Sequence, residues 1–370
     1  MRVGIDISVL PLGGGVAGYI RNLLENLPKL CSEHSYKLFL NSRHKFKLNL
    51  DQDDFDVIKT KIPVRLLEFL WLRKSFPPIE WFIGPVDLFH SPSHSPIYSL
   101  CPPSRKWIVT VHDLFTVKLN YKESSQQKEM IALQRMEQKA SRVIAVSQST
   151  RNDLLELAPS LEPRVTVIHE GVEERFFQAE DLPEIQAQYG IRSPYILYLG
   201  AADFHKNLPR LLRVFKRLSR NIPHTLVLAG KLTERYRTIV ELAHDLGIQK
   251  LTCFTGFIED GDLPALYKGA DLFVLPSLYE GFGLVLLEAM AAGTPVVASN
   301  VSSIPEIVDD CALLFSPYDE EEMQDVIHQV ITDSSLSNQL VMKGKNRAKS
   351  FSWRKMTEKT LLVYETVGML

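Results

Sequence analysis

The chain has 370 residues, a length that exceeds the usual size of one compact core and predicts two domains. Its 42 basic and 44 acidic side chains give a formal net charge of −2, which argues against a general attraction to nucleic acid. Four cysteines lie far apart without a C-x-x-C pair, which argues against a disulfide framework or a structural zinc site and indicates a reducing compartment.

The N-terminal half begins with a strand-like run and no signal-type apolar segment, and nowhere do about 18 apolar residues run together. We therefore expect a cytoplasmic protein without a membrane span. Apolar runs alternate with helical patterns, which predicts an α/β fold built from βαβ units with parallel sheets. The predicted strands of this half are Arg2 to Leu10, Tyr36 to Leu40, Asp56 to Thr60, Asp87 to His90, Lys106 to Val111, Arg142 to Val146 and Arg164 to Ile168.

A glycine-rich loop follows the first predicted strand and leads into a helix through Asn22 to Leu30. Gly13, Gly14 and Gly15 allow positive φ angles and let a ligand approach the backbone closely. Phosphate contact and a plain tight turn both remain open, because a glycine loop alone is a weak motif.

Two stretches carry residue types that bind metals. Asp51 and Asp53 form a D-x-D sequence in a polar run before a strand. His90 and His94 are four residues apart, but Pro92 places them in a loop, where the geometry of a helical metal pair is lost. We predict no metal at either place.

The segment from Val64 to Phe76 is apolar and is flanked by basic and aromatic residues. Two interpretations are open, a helix that lies on a membrane surface and a core or lid helix. The segment is too short to span a bilayer.

His112 and Asp113 follow the strand that ends at Val111, at the edge where a parallel sheet delivers side chains to a ligand. The histidine either binds sugar hydroxyls or a developing charge, or is satisfied by its neighbours. Further along, Ser147 is predicted to cap a helix.

Strand signals disappear from Gly171 to Pro194, where we predict the domain boundary. The first domain is placed at 1–175 and the second at 186–352. The strands predicted in the second domain are Tyr195 to Gly200, His224 to Gly230, Leu251 to Gly256, Ala270 to Pro276, Thr294 to Ser299 and Cys311 to Pro317. The tail is predicted as two helices with a break at Phe351 to Trp353.

Lys206 follows the first strand of the second domain, at the carboxyl edge where α/β proteins bind ligands. A solvated surface lysine is the ordinary interpretation, and a phosphate-binding lysine is the alternative. Its position beside a predicted phosphate site favours the second interpretation.

That phosphate site is the stretch from Tyr279 to Gly293, which reads Y-E-G-F-G-L-V-L-L-E-A-M-A-A-G. The pattern predicts a glycine turn and a helix N-terminus after a buried strand, where unpaired N–H groups and the helix dipole favour an anion. Glu280 precedes the turn, and Glu288 lies about 7 to 8 Å further along the helix axis. Because helical side chains lean toward the N-terminus, Glu288 can reach a ligand at the helix start.

The glycine loop, Lys206 and the E-x7-E spacing of Glu280 and Glu288 resemble the retaining glycosyltransferases of family 4, which have the GT-B fold. The resemblance covers essentially the whole chain. It is most specific from Phe254 to Pro317, where F-T-G-F-I, L-Y-E-G-F-G-L, L-E-A-M-A-A-G-T-P-V-V-A-S-N and I-P-E-I-V occur in the family's order. It implies two doubly wound Rossmann-like domains that face a deep cleft, with the final helix, 353–370, joined to the first.

The resemblance also implies roles for single residues. The donor-binding residues are Gly14, Gly15, Lys206, Phe282, Gly283, Leu284 and Glu288, and the catalytic residues are Glu280, His112 and Lys206. Lys206 neutralises the donor diphosphate, Glu288 binds the ribose hydroxyls, and the backbone around Gly283 holds the sugar phosphate. Glu280 orients the transferred sugar or stabilises positive charge at its anomeric carbon.

One departure from the family concerns phosphate neutralisation. Related enzymes commonly have an arginine where this chain has Ala201, and some have one where it has His205. Neutralisation therefore depends more on Lys206, the helix N-terminus and Arg210.

The function implied by the resemblance is metal-independent transfer of a hexose, with retention, from a nucleotide diphosphate sugar to a glycan or lipid-linked acceptor. No cofactor and no nucleic-acid partner are expected. The L-Y-E-G-F-G-L and H-D-L stretches are most similar to mannosyl- and rhamnosyltransferases, which favours GDP-mannose and a place in polysaccharide biosynthesis. Peripheral contact with the inner face of a membrane would involve residues 64–76. A GT-B sugar-nucleotide epimerase and a catalytically silent GT-B scaffold subunit remain as alternatives.

Overall fold

The computed structural model describes residues 1–43, 55–71, 76–93 and 106–369. The chain divides into two compact units, Met1–Gly171 with Trp353–Leu370, and Val172–Ser352. Each unit is built on a parallel sheet with helices, as the α/β prediction required.

In the first unit the described residues form a seven-stranded parallel sheet in the order β3-β2-β1-β4-β5-β6-β7. The strands are β1 (Arg2–Asp6), β2 (Ser35–Asn41), β3 (Phe55–Thr60), β4 (Leu88–Ser91), β5 (Lys106–Val111), β6 (Arg142–Ala145) and β7 (Val165–Val167). The helices are α1 (Gly15–Leu30), α2 (Val64–Phe69), α3 (Glu80–Ile83), α4 (Phe115–Lys118), α5 (Glu123–Lys139), α6 (Gln148–Leu157) and, from the end of the chain, α16 (Trp353–Met369).

The second unit has a six-stranded parallel sheet in the order β10-β9-β8-β11-β12-β13. Its strands are β8 (Tyr195–Leu199), β9 (Thr225–Ala229), β10 (Thr252–Gly256), β11 (Leu272–Leu275), β12 (Val296–Ser299) and β13 (Leu313–Phe315). Its helices are α7 (Glu174–Phe177), α8 (Pro183–Gln188), α9 (Leu208–Leu218), α10 (Glu234–Asp245), α11 (Leu263–Lys268), α12 (Leu284–Ala292), α13 (Ile304–Val308), α14 (Glu320–Thr332) and α15 (Ser334–Ala348).

Every predicted strand is present. The largest difference between a predicted and an observed strand end is at β1, which stops at Asp6 rather than Leu10. The Asp6 side chain accepts a hydrogen bond from the Ser8 N–H at 2.9 Å, a local turn that competes with continuation of the strand. The predicted cap at Ser147 is also present, since its hydroxyl accepts from the Thr150 N–H at 2.9 Å.

Most of the predicted boundary segment is part of the second unit. The units divide after Gly171, and the residues that follow belong to the second unit and include two short helices. Phe176 is 1% exposed, and its ring packs edge-on against Tyr267 with centroids 5.9 Å apart. Polar and acidic composition indicated a boundary here, because the contact of Phe176 with Tyr267 joins residues that are distant in sequence and leaves no local pattern.

Both sheets reverse their strand order beside the first strand of the unit, between β1 and β4 and between β8 and β11. At such a switch point the connections leave in opposite directions, so a crevice opens at the carboxyl ends of the two strands. The sheet topology therefore brings the loops after β8 and β11 together.

Asp6 is a carboxyl group enclosed by the first unit. It is 3% exposed, and burial raises its pKa from 3.8 to about 7. Its Oδ2 atom has no hydrogen-bond partner among the described residues. Above neutrality the fold therefore holds a poorly solvated charge.

We expect Asp6→Asn to change how stability depends on pH. The folded carboxyl keeps its proton up to about pH 7 and the unfolded one only to about pH 4, so between these values wild-type stability falls as pH rises, by at most roughly 1.4 kcal/mol per pH unit. Asparagine does not titrate, so it makes no such contribution to the pH dependence of stability. Denaturant unfolding should show that the free energy of unfolding of the variant, relative to that of wild type, is higher at pH 8 than at pH 5. The same difference between the two proteins at both pH values would contradict the expectation.

Candidate functional site

An ion pair lies where the loops after β8 and β11 meet. The Nζ atom of Lys206 is 2.7 Å from Oε1 of Glu280, and the two side chains are 19% and 10% exposed. Ser277 donates its hydroxyl to the same Oε1 at 2.6 Å. The limited exposure reduces screening by water and strengthens this pair relative to a surface one. Residues expected to act separately, on phosphate and on sugar, are thus brought into direct contact.

The loop that carries Lys206 is fastened to the second sheet by Asn207, which was not predicted as a site residue. Asn207 has a left-handed backbone with φ 58° and is 4% exposed. Its side-chain amide donates to the carbonyls of Pro276 at 3.0 Å and Pro317 at 2.9 Å, so it joins the ends of β11 and β13. The carbonyl of His205, on the other side of Lys206, accepts from the Leu278 N–H at 2.6 Å.

The turn that carries Glu280 is held by two serines before α13. The Glu280 N–H donates to the Ser302 hydroxyl at 2.8 Å, and the Ser303 hydroxyl lies 3.0 Å from the carbonyls of both Glu280 and Phe282. Phe282 is 4% exposed, and its ring packs edge-on against Phe351. These contacts give the turn its shape without a ligand.

Gly283 is the residue at which this turn becomes α12. Its φ of 97° and ψ of 51° are left-handed, and a Cβ there would lie 2.9 Å from Cδ1 of Leu286. Glycine therefore satisfies both the backbone and the packing. The helix begins at Leu284, as predicted, so its N-terminal N–H groups and dipole act at the same edge as the Lys206 loop.

Glu288 lies in the second turn of α12 and belongs to a different cluster from Glu280. Tyr267 donates its hydroxyl to Oε2 of Glu288 at 2.8 Å. Burial, with the negative charges of Glu173 and Asp260, raises the pKa of Glu288 to about 7, although the Tyr267 bond opposes this. Its protonation state therefore changes within the range around neutral pH.

The predicted glycine loop of the first unit is open. Gly13 and Gly14 have φ values of 72° and 83°, and α1 begins at Gly15. A Cβ at Gly14 would meet no atom within 4 Å, so its backbone angle, and not crowding, requires glycine here.

Both ring nitrogens of His112 are engaged within the first unit. Nδ1 lies 2.9 Å from Oε1 of Glu170, and Nε2 lies 2.9 Å from the Pro92 carbonyl oxygen. The Tyr19 ring packs edge-on against the imidazole at 4.9 Å. This is the arrangement of a histidine satisfied by its neighbours, and a bond from Nε2 to a sugar hydroxyl requires exchange with Pro92. The sequence showed Glu170 only within I-H-E-G-V, without its partner.

His90 is buried in the core of the first unit. Its Nδ1 lies 2.6 Å from the Tyr364 hydroxyl and its Nε2 lies 2.9 Å from the Thr110 hydroxyl. Burial and the neighbouring His112 lower its pKa to about 3, so the ring is neutral. His94, Asp51 and Asp53 lie outside the described residues. Within the described ranges no three histidine, cysteine or acidic side chains form a metal-binding group.

Arg210, which was expected to support Lys206, has partners of its own, and so does Arg235. Arg210 donates to Oδ1 of Asn207 at 2.9 Å and lies over the Tyr318 ring. Arg235, from α10, forms an ion pair with Asp203 in the loop that leads to Lys206. Sequence reasoning missed Arg235 because nothing local connects it with that loop.

Known proteins resemble this chain over both units. Residues 13–176 match the family model described as Glycosyltransferase Family 4, and residues 181–347 match Glycosyl transferases group 1. The chain is 30% identical over 286 residues to the O-antigen chain mannosyltransferase B of Escherichia coli, a match that covers 74% of this chain and 73% of that protein.

A second relative is the serotype-specific mannosyltransferase WbdA of Escherichia coli, which is 30% identical over 224 residues. The match covers 58% of this chain but 28% of WbdA, so the chain spans less than a third of that relative's length. The solved sucrose-phosphate synthase of Thermosynechococcus elongatus shares the fold with a TM-score of 0.82, at 22% identity over 99% of each chain.

Asn207 offers a test of how the Lys206 loop is held. Asn207→Ala and Asn207→Gly both remove the bonds to the Pro276 and Pro317 carbonyls, which should cost about 1–3 kcal/mol of unfolding free energy. Alanine is also strained at φ 58°, so it should be the more destabilising by up to about 1 kcal/mol. Denaturant unfolding measures both, and a variant as stable as wild type would show that the bridge is dispensable.

Proposed function

Because this chain belongs to family 4 of the glycosyltransferases and has the GT-B fold, we propose that it transfers a hexose from a nucleoside diphosphate sugar to a glycan or lipid-linked acceptor with retention of configuration. The observation that carries the proposal is the ion pair of Lys206 and Glu280 beside the N-terminus of α12. It lies at the carboxyl edge of the second sheet, beside the switch point where such sheets bind ligands.

Lys206 and α12 stabilise the leaving group in the proposed reaction. As the bond from the anomeric carbon to the phosphate oxygen breaks, the nucleoside diphosphate gains negative charge. An ammonium group has three N–H donors, and Glu280 accepts one, so others remain to bind phosphate oxygens. Because the cation and the helix end interact more strongly with the departing diphosphate than with the donor, they lower the barrier.

Glu280 acts as an electrostatic and positioning group and not as a nucleophile. Its Oε1 already accepts from Lys206 and Ser277, which makes the carboxylate less ready to form a bond with carbon. The reaction is therefore a front-face displacement, in which the acceptor oxygen bonds to the anomeric carbon on the face that the phosphate leaves. The acceptor proton passes to a phosphate oxygen, and the retained negative charge of Glu280 faces the oxocarbenium-like sugar.

GDP-mannose is the donor that we favour, with Glu288 receiving the ribose hydroxyls. Support comes from the two Escherichia coli relatives described above, both of which are named as mannosyltransferases. One of them is named for the O-antigen chain, and on that basis we propose a glycan under construction as the acceptor. Binding and slow hydrolysis of a panel of nucleotide sugars would identify the donor.

Lys206→Ala and Glu280→Gln should each lower turnover more than about tenfold, because each loses a charge that acts on the transition state. Lys250→Ala is a matched control, since that exposed lysine lies just before β10, at the opposite edge of the sheet. The assay follows release of GDP from GDP-mannose, with thermal unfolding to confirm that each variant folds. Full activity in EDTA is expected, because the charge is handled by protein groups.

Wild-type kinetics in Lys206→Ala would refute the phosphate assignment, and loss of activity in EDTA that added Mn²⁺ restores would refute metal independence. Donor binding without turnover over a broad set of acceptors would indicate a scaffold subunit. Conversion of the donor sugar without any acceptor would indicate an epimerase.

We also infer that the first unit contacts a lipid surface through α2 and α3. Leu66, Phe69, Phe76 and Trp81 are 47%, 49%, 48% and 70% exposed, and the last two rings pack edge-on at 4.9 Å. The opposite face of α2 is part of the core, where Leu67 is buried. Exposed aromatic side chains favour the interface of a bilayer. No helix within the described ranges has the length and apolarity to cross a membrane.

Trp81→Ser should weaken binding to vesicles of phosphatidylcholine and phosphatidylglycerol by roughly tenfold, since an exposed aromatic side chain gains about 1.5 kcal/mol or more on leaving water. Met342→Ser is the matched control, because Met342 is 65% exposed on the second unit. Cosedimentation measures both. Equal losses in the two variants, or no vesicle binding by wild type, would rule out this surface.

A further inference from the structure

The carboxylate of Glu288 is held by the protein on one side. Tyr267 occupies Oε2 with a bond of 2.8 Å, and no other hydrogen bond reaches Glu288 from the described residues. Glu288 is partly exposed. Its Oε1 is not one of the buried side-chain atoms that lack a hydrogen-bond partner, so this oxygen is accessible. One oxygen is thus fixed by the fold, and the other is left to a ligand.

The position of the Tyr267 hydroxyl is set by packing. Tyr267 is 0% exposed, and its ring lies between Phe176 and Phe273 with centroid distances of 5.9 and 5.4 Å. Its backbone carbonyl accepts from the Thr294 hydroxyl at 2.6 Å. Because the ring has no freedom to turn away, the hydroxyl acts on Glu288 from one direction.

The charges that face Glu288 come from the segment before and within α7 and from the loop after β10. Burial is the largest cause of its raised pKa, and Glu173 and Asp260 add to it, whereas Arg175 opposes it. Arg175 is itself held, since its Nε donates to the Glu173 carboxylate at 2.8 Å and its guanidinium binds the Asp260 carbonyl. With this balance, the hydroxyl of Tyr267 helps to decide whether the carboxylate is ionised at neutral pH.

We propose that Tyr267 is a positioning residue for nucleotide binding: its hydroxyl holds Oε2 of Glu288 and favours the ionised carboxylate, whose Oε1 accepts the ribose hydroxyls, so that donor affinity depends on pH. The proposal rests on the proposed function, in which Glu288 receives the ribose. An ionised carboxylate accepts hydroxyl hydrogen bonds without a competing proton, and these charge-assisted bonds are the stronger ones. Where Glu288 is protonated, its proton leaves to solvent as the nucleotide binds.

The apparent affinity is the intrinsic affinity multiplied by the ionised fraction of Glu288. With a pKa of about 7, this fraction falls about tenfold between pH 8 and pH 6. Nucleotide phosphates also titrate in this range, so a ligand that keeps them and lacks the ribose hydroxyls is needed as a reference. The 2′,3′-dideoxynucleoside diphosphate is such a ligand.

The experiment is a calorimetric titration of the full chain with GDP and with 2′,3′-dideoxy-GDP between pH 5.5 and pH 9, or with the uridine pair where guanosine does not bind. We expect the advantage of GDP over its dideoxy analogue to fall about tenfold from pH 8 to pH 6. A constant advantage would overturn the proposal, and so would an advantage of the same pH dependence in Glu288→Gln, which cannot titrate.

Tyr267→Phe tests the positioning role directly. Loss of a hydrogen bond that lowers the pKa of Glu288 should move the midpoint of the GDP advantage to higher pH. Tyr195→Phe is the matched control, because it removes a buried hydroxyl that donates to the Leu266 backbone carbonyl at 2.6 Å and not to a carboxylate. Its midpoint should stay at the wild-type value.

An unchanged midpoint in Tyr267→Phe, or an equal shift in Tyr195→Phe, would overturn the role of Tyr267 while leaving nucleotide binding in place. If wild type bound neither nucleotide pair at any pH, the proposed function itself would fail. If Tyr267→Phe does not fold, the wild-type and Glu288→Gln profiles still decide whether Glu288 controls the pH dependence.

Discussion

The position of two neighbouring parallel strands, β8 and β11, is the constraint on which the second unit's site depends. Their carboxyl ends lie at the same edge, and their connections leave in opposite directions, so Lys206 from one loop meets Glu280 from the other. Asn207 binds the ends of β11 and β13, and Ser302 and Ser303 hold the turn after β11. The site is preorganised because its loops are bonded to the sheet and to each other.

The same arrangement explains how charge is distributed at this edge. Arg210 is engaged by Asn207, and Arg235 is paired with Asp203, although both lie near the loop that contains Lys206. Lys206 is paired with Glu280, so the pair has no net charge before a ligand binds. In the proposed reaction, an incoming diphosphate therefore shares the ammonium with Glu280, and the N-terminus of α12 becomes a substantial part of the anion's environment.

The two carboxylates that frame α12 are placed in different surroundings. Glu280 has a cation and a hydroxyl beside it, whereas Glu288 has a tyrosine hydroxyl and two further acidic residues in reach of its charge. A common E-x7-E spacing thus produces two groups of different chemistry. In the proposed function, environment and not residue type separates the electrostatic role of Glu280 from the role of Glu288, which depends on protonation.

The sequence by itself determined the elements and their order. Patterns within a few residues predicted the strands, the glycine turn at Gly283, the start of α12 and the cap at Ser147. At these places local hydrogen bonds and side-chain periodicity decide the conformation. Only the tertiary structure decided the pairings of Lys206 with Glu280, His112 with Glu170 and Tyr267 with Glu288, which are 74, 58 and 21 residues apart. It also assigned the polar segment after Gly171 to the second unit. Such contacts depend on which strands become neighbours and on what each helix buries, and no local pattern encodes either.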